Sequence, residues 1–306
     1  MTSPRTLRLG ILDLGAAFED MGTGERIAET VRLARRAEEL GFERYWLSEH
    51  HTPSTVLVAP EVVLGLLSGA TSQIKIGSAG VLLRYYSPLK IIEVYLTLAA
   101  MAGPRVELGV CYGPGVPDDL LALSYASGNE AELSPESFQA KVDSLVGYAR
   151  LAGRPGAASG PLPLGVAPPP IWVLGSGSRS LELAARNGAS FGFMCFYPDA
   201  HDYGPRLMAQ FLRARDVRPD RQAAQGAVIA LSVNCAATDA AAEAAERLQL
   251  ERGMMPSNIV GSPDRCIEAI HRCAKLYGVV DVVVACASPH VEDHLLLMEG
   301  VQRAAA

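Results

Sequence analysis

The chain has 306 residues, 49% of them hydrophobic, and a net charge of -6. That length supplies ample core for one large α/β domain or two ordinary ones. The acidic balance and the lack of a long basic run exclude nucleic acid as an expected partner, because neutralising phosphates takes clustered Lys and Arg.

Strand-like and helix-like runs alternate along the whole sequence. Leu7–Asp13 is predicted as a strand, and the residues before it carry no small-residue cleavage site, so no signal peptide is expected. Glu25–Leu40 is predicted as a helix, with Ile27, Val31, Ala34 and Leu40 near one face and Gly41 as its stop. Arg44–Ser48 follows as a strand, Pro60–Ala70 as a helix and Ile74–Leu83 as a strand. Pro88–Met101 is a helix with proline in its first turn, ended by Gly103 and Pro104. Val106–Cys111 is a strand, Ser134–Leu151 a helix, and the Gly/Pro/Ala-rich stretch Gly153–Pro170 a loop. Strands at Ile171–Leu174, Phe191–Met194, Ala227–Ala236 and Asp281–Ala285 alternate with helices at Ser180–Asn187, Pro205–Ala214, Asp239–Glu251 and Pro263–Leu276, with a further helix expected to close the chain.

Eight β/α units in this length predict a (β/α)8 barrel. A doubly wound open sheet is the alternative, but the first strand-to-helix turn, Leu14 to Gly24, lacks the spaced glycines of a dinucleotide fingerprint. The strand–helix rhythm resumes unchanged after Gly153–Pro170, so residues 1–306 are expected to form a single domain. No apolar stretch is long enough to span a bilayer, and a cytoplasmic protein is expected. The six cysteines (111, 195, 235, 266, 273 and 286) include no Cys-x-x-Cys pair and fit buried reduced thiols. Cys266 and Cys273, seven apart on one helix, form a core stripe rather than a metal site, and no metal is expected.

Four segments could carry chemistry. Glu49-His50-His51 follows the second strand, and adjacent residues on extended chain point opposite ways. One imidazole is expected to face the barrel mouth and the other the wall. A histidine at the mouth can act as a general base near neutral pH, with Glu49 orienting it or holding a backbone amide. The plain structural alternative is a pair that ties a loop down. Gly175-Ser176-Gly177-Ser178-Arg179 opens a helix after the fifth strand. Small residues there let amides approach an anion that Arg179 could clamp, though a simple capped helix start explains the same residues. Gly77 to Gly80 on the third strand leaves room for a flat ligand or serves a tight barrel layer. Gly109 to Gly115 is first of all a turn, and Cys111 within it is expected to be a packed thiol. His290 and His294 straddle a predicted helix start and are expected at the surface.

Taken together, the motifs resemble the bacterial luciferase-like flavin monooxygenases over most of the chain. The carrying stretches are Gly41 to His51, Ala70 to Gly77, Ser87 to Lys90 with Glu93, Arg105 to Gly109, Pro169 to Ser176, and Ile259 to Asp264. The resemblance implies a (β/α)8 barrel, usually dimeric, that holds reduced FMN at its C-terminal mouth and receives it from a separate flavin reductase. In that family reduced flavin activates O2 to oxygenate a carbonyl or another organic substrate. By position it implies His50 at the reactive edge of the flavin with Glu49 and His51 beside it, Ala79-Gly80 at a non-proline cis peptide that passes the flavin, and Gly175, Ser176, Gly177 and Ser178 at the phosphate turn, with Cys111 and Tyr112 at the end of the fourth strand.

Two departures stand out. The family usually carries a phosphate-gripping Arg where this chain has Tyr112, and many members have Tyr where it has Arg179, so a swap is expected in which Arg179 takes the charge and Tyr112 offers a hydroxyl. The family's long lid before Ile259 is reduced to Gly253 to Asn258. Three functional expectations stay open: an FMN-dependent monooxygenase of a small organic substrate whose pocket Tyr85, Tyr86, Phe196 and Tyr197 could line, a deazaflavin-dependent hydride-transfer enzyme of the same fold, and a non-catalytic flavin-binding or partner subunit.

Overall fold

The computed structural model describes residues 7–113, 124–154, 159–216 and 226–305. The residues before the first strand, together with Pro114 and Gly115 of the predicted turn, lie outside the described residues. Among the described residues, nine parallel strands form one sheet: β1 (Arg8–Asp13), β2 (Arg44–Leu47), β3 (Lys75–Leu82), β4 (Val106–Cys111), β5 (Ile171–Gly175), β6 (Ser190–Met194), β7 (Ala227–Cys235), β8 (Ile259–Gly261) and β9 (Asp281–Cys286). Their order is β6-β5-β4-β3-β2-β1-β9-β7-β8, and β6 also pairs with β7. That last pairing closes eight of the strands into a barrel and rules out the open doubly wound sheet. β8 stands outside the ring, paired only to the last residues of β7 (Val233 to Cys235).

The outer layer holds α1 (Thr23–Glu39), α2 (Pro60–Ala70), α3 (Pro88–Ala102), α4 (Pro135–Ala152), α5 (Ser178–Asn187), α6 (Ala200–Asp216), α7 (Asp239–Glu251), α8 (Pro263–Tyr277) and α9 (Val291–Ala305). Their ends follow local chemistry. The Glu25 carboxylate accepts the Gly22 amide at the start of α1, and Ser134 accepts the Ser137 amide ahead of Pro135 in α4.

Two elements depart from the sequence prediction. α6 begins five residues before Pro205, because a turn starting at Ala200 precedes the proline that would ordinarily mark a first turn. β8 was not predicted as a strand, since three residues are too few to show an alternation.

Strand alternation divides the core in two. Tyr45, Leu47, Val110 and Ile229 face outward into the barrel–helix layer, whereas Leu12, Trp46, Trp172, Leu174, Val228 and Val283 fill the barrel interior. At the N-terminal end of that interior, Arg44 bridges Glu107 (3.1 Å) and Asp281 (3.3 Å). Trp46 Nε1 donates to Glu107 at 2.7 Å. This buried ionic plug closes the floor, so the barrel opens only toward the C-terminal ends of its strands, where Leu14, Cys111, Met194 and Phe196 are only partly buried.

Candidate active site

The period-two alternation of β2 carries on beyond its last ladder residue and sorts the Glu49-His50-His51 triad. Arg44 and Trp46 point into the barrel, and Ser48 and His50 continue that row. Ser48 Oγ lies 3.0 Å from His50 Nδ1. Among the described residues no side chain engages His50 Nε2. Burial lowers the His50 pKa from its ordinary 6.5, with the Leu14 carbonyl and Glu49 pulling the other way. The ring is therefore neutral at pH 7 and is oriented by the Ser48 hydroxyl and the Leu14 carbonyl, with no carboxylate or second imidazole among the described residues bonded to it.

Glu49 and His51 belong to the opposite row and meet each other. Glu49 Oε1 lies 2.8 Å from His51 Nε2 and accepts the Tyr86 hydroxyl at 2.5 Å. Glu49 Oε2 accepts the Leu82 amide at 2.9 Å. His51 Nδ1 lies 2.9 Å from the Tyr125 hydroxyl. Both His51 nitrogens are thus occupied, and its side chain is 6% exposed. The triad splits as its alternation predicts: His50 to the mouth, and Glu49 and His51 to a wall that stitches β2 to the end of β3 and to the segment around Tyr125. Burial, with the Glu49 charge second, drives the Tyr86 pKa far upward, so Tyr86 stays a neutral donor to the carboxylate. Glu49→Gln keeps one acceptor oxygen but not both, and is expected to cost about 1–3 kcal/mol in urea denaturation. A midpoint unchanged from wild type would show that Tyr86 and Leu82 find other partners.

On β3 the Ala79–Gly80 peptide is cis, and the pairing with β4 shifts register between Ser78 and Val81. The small residues here serve packing. A Cβ on Gly77 would lie 2.3 Å from the Glu107 carbonyl oxygen, and one on Gly109 would lie 2.2 Å from that of Ser78. Of the two readings of Gly77 to Gly80, close approach of β3 and β4 accounts for the glycines. Cys111 points its thiol at the Gly80 carbonyl, 3.5 Å away. Burial pushes that thiol up to about 12, so it is no nucleophile at neutral pH. Tyr112 donates its hydroxyl to the Leu133 carbonyl at 2.8 Å, and the Arg84 guanidinium stacks over its ring, 4.6 Å from the centroid.

Gly175 ends β5 where a Cβ would strike the Ser180 hydroxyl, 2.2 Å away. Gly177 caps α5 without any side-chain cap hydrogen bond. Arg179 is exposed in the first turn. An open cleft of about 550 Å³ adjoins this turn, lined by Ser176, Gly177 and Ser178 and, across from them, by Tyr203, Arg206 and Gln210 of α6. Arg179 does not line it.

The rim carries aromatic groups. Tyr85 is buried, Tyr86 and Phe196 are half-buried, and Tyr197 is exposed. Tyr85 lies 5.4 Å from Tyr125, centroid to centroid. The short segment 253–258 is held in place at its end. Asn258 donates to the Cys195 carbonyl at 2.6 Å and accepts the Ser232 amide at 2.8 Å, while Glu246 accepts the Ser257 amide at 2.7 Å.

Sequence reasoning did not single out Tyr125, which bonds His51, Arg206, which lines the cleft, or Asn258, which bonds Cys195. Arg206 had a signal, because Tyr203, Arg206, Leu207 and Gln210 recur at helical spacing on one stripe of α6. Tyr125 and Asn258 sit in irregular segments where no period points to a partner. His294 corrects an expectation. His290 is exposed, but His294 packs its ring edge-on against Phe18 at 4.9 Å and reaches the Ser288 carbonyl at 2.9 Å, because α9 turns it inward beneath the β1–α1 connection.

Residues 7–259 match the family model described as luciferase-like monooxygenase. N-acetyl-S-alkylcysteine monooxygenase of Bacillus subtilis (strain 168) is 34% identical over 197 residues, 62% of this chain and 57% of that protein. The match thus spans less than two thirds of the relative's length. Among solved structures, apo-MsnO8 superposes with a TM-score of 0.85 at 26% identity, covering 97% of this chain and 98% of that one. Two more distant structures share the fold. One is the oxygenating constituent of 3,6-diketocamphane monooxygenase from Pseudomonas putida in complex with FMN (TM-score 0.72, 16% identity, 97% and 96% covered). The other is an F420-dependent secondary alcohol dehydrogenase (TM-score 0.72, 15% identity, 98% and 99% covered).

Proposed function

Because the chain belongs to the luciferase-like monooxygenase family, we propose that it is a flavin-dependent monooxygenase that uses reduced FMN and O2 to oxygenate a small organic substrate at the barrel mouth. The observation that carries this reading is His50. It is a neutral imidazole, oriented by the Ser48 hydroxyl and the Leu14 carbonyl with no charged group among the described residues bonded to it, and it continues the inward-facing row of a barrel whose floor is filled by the Arg44, Glu107 and Asp281 cluster.

The residues present fit a phosphorylated flavin. α5 starts without a side-chain cap, so its first amides and the positive end of the helix suit a phosphate at Ser176, Gly177 and Ser178. Ala79, Gly80 and Cys111 would lie beside the ring system, and they offer apolar surface and no competing nucleophile. Reduced FMN, when bound, supplies the electrons that activate O2. His50 Nε2 gives or takes one proton near the reacting edge. Glu49 and His51, locked to Tyr86 and Tyr125, keep the wall behind His50 rigid. The half-buried Phe196 and the tyrosines of the rim shield the site from water. A separate flavin reductase supplies the reduced cofactor in this reading. The protein acts as a homodimer, for which the exposed Val62 and Leu66, one turn apart on α2, offer an apolar strip.

The test regenerates reduced FMN with an added flavin reductase and follows O2 uptake and product mass over a panel of carbonyl, thioether and aromatic substrates. Coupled uptake with a one-oxygen mass gain is expected for at least one substrate class. Tight binding of reduced FMN with no product from any class would favour a partner subunit. Binding of F420 alone would move the reading to hydride transfer, the chemistry of the fold neighbour that carries that cofactor.

A further inference from the structure

We propose that Arg206 of α6 reads the terminal phosphate of the flavin, so that this chain draws its phosphate charge from the helix after β6 and not from the end of β4. The proposal rests on the flavin reading above and concerns the same site. At the end of β4 no arginine replaces Tyr112, whose hydroxyl is given to Leu133, and the neighbouring Arg84 guanidinium is stacked against the Tyr85 and Tyr112 rings and bonded to the Tyr85 hydroxyl. Arg179 is near in sequence but does not line the cleft.

Arg206 does line it, opposite Ser176, Gly177 and Ser178. Its neighbours along the stripe, Leu207 apart, are polar. Gln210 lies one turn further along, and Tyr203 keeps its proton because burial raises its pKa. Among the described residues Arg206 pairs with no carboxylate, so its charge is not already neutralised. On the facing side the first turn of α5 has no side-chain acceptor for its amides. A planar guanidinium across a cleft from unpaired helix-start amides is an arrangement that fits a phosphate monoester, because each side supplies donors and neither supplies an acceptor charge.

Riboflavin is FMN without its phosphate, so the pair isolates the proposed contact. Intact wild-type protein and the Arg206→Ala, Arg206→Lys and Arg179→Ala variants are titrated anaerobically with reduced FMN and reduced riboflavin by calorimetry. Wild type is expected to prefer FMN. Arg206→Ala is expected to weaken FMN about tenfold to a hundredfold, as for loss of a charge-assisted hydrogen bond, with riboflavin unchanged. Arg206→Lys restores part of the preference, and Arg179→Ala leaves the FMN-to-riboflavin ratio as in wild type. The proposal is overturned if Arg206→Ala keeps the wild-type ratio, or if Arg179→Ala abolishes it. Failure of the wild type to bind either flavin would instead remove the flavin reading itself, and this proposal with it.

Discussion

His50→Ala is expected to lower turnover by about 10²–10⁴-fold, the usual contribution of a positioned acid–base group, while the affinity for reduced FMN stays within about twofold. His50 is the one member of its triad that is bonded to neither of the other two. His51 has a partner on each nitrogen, and Glu49 spends both oxygens on Leu82, Tyr86 and His51. The pH profile separates proton handling from mere lining. Burial lowers the His50 pKa below 6.5, so the neutral form persists above that value and is lost as pH falls through the lowered one. The acid limb of kcat/KM should therefore lie below 6.5 in wild type and vanish in His50→Ala. A variant that turns over at the wild-type rate with the same acid limb would reduce His50 to a wall residue.

Arg26→Ala is expected to cost about 3–5 kcal/mol of stability, the range for removing one partner of a buried ion pair. Arg26 and Asp13 have side chains 1% exposed and meet at 2.5 Å. Arg26 also donates to Thr30 at 2.5 Å and to the Ala16 carbonyl at 2.9 Å, and Tyr45 donates to Asp13 at 3.0 Å. Burial alone would push the Asp13 carboxyl up. Arg26 and the Gly15 amide outweigh it and hold the carboxyl below its ordinary 3.8. The sign follows: the pair's stabilisation is present above 3.8 and is lost as pH falls through the lowered native value. The gap between wild type and variant in urea midpoint should be full at pH 7 and shrink once Asp13 is protonated. A loss below about 1 kcal/mol at pH 7 would mean that water reaches Asp13 in the variant and solvates it. Arg26 also fixes Ala16, which bridges to Thr55, so part of the variant's defect should appear as looseness at the mouth beside His50.

The fold was legible because its signals are periodic. Eight strands and most of the helices match to within a residue or two, from Pro60–Ala70 to Asp239–Glu251. The division of labour in Glu49-His50-His51 was legible for the same reason, since a period of two separates neighbours and unites residues two apart. The partners were not. Nothing local joins Glu49 to Leu82, 33 positions away, or His51 to Tyr125, 74 away, because these contacts exist only once the barrel closes. Arg26 reads as one more charge on an amphipathic helix until the β1–α1 connection folds over it. Arg179 reads as a phosphate cation because it adjoins the Gly/Ser turn in sequence; in the structure it is exposed, and the cleft beside that turn is lined by Arg206, two elements on. His294 looked superficial for a related reason: a residue near a helix start is exposed or covered according to where the preceding loop runs.

The clamp on residues 253–258 bears on how ligands come and go. Asn258 ties the ends of β6 and β7 together through Cys195 and Ser232, and Glu246 fixes Ser257. The entropy of ordering this edge is therefore settled once, when the chain folds, and is not drawn from binding energy at each cycle. In the proposed reading, ligand exchange on this side of the mouth would meet a frame already ordered by Asn258 and Ser257. Evolution of such a rim would proceed by exchanging side chains on a standing frame, with Met254 and Met255, both about half exposed, as adaptable surfaces that can change their fit without a change in the frame itself.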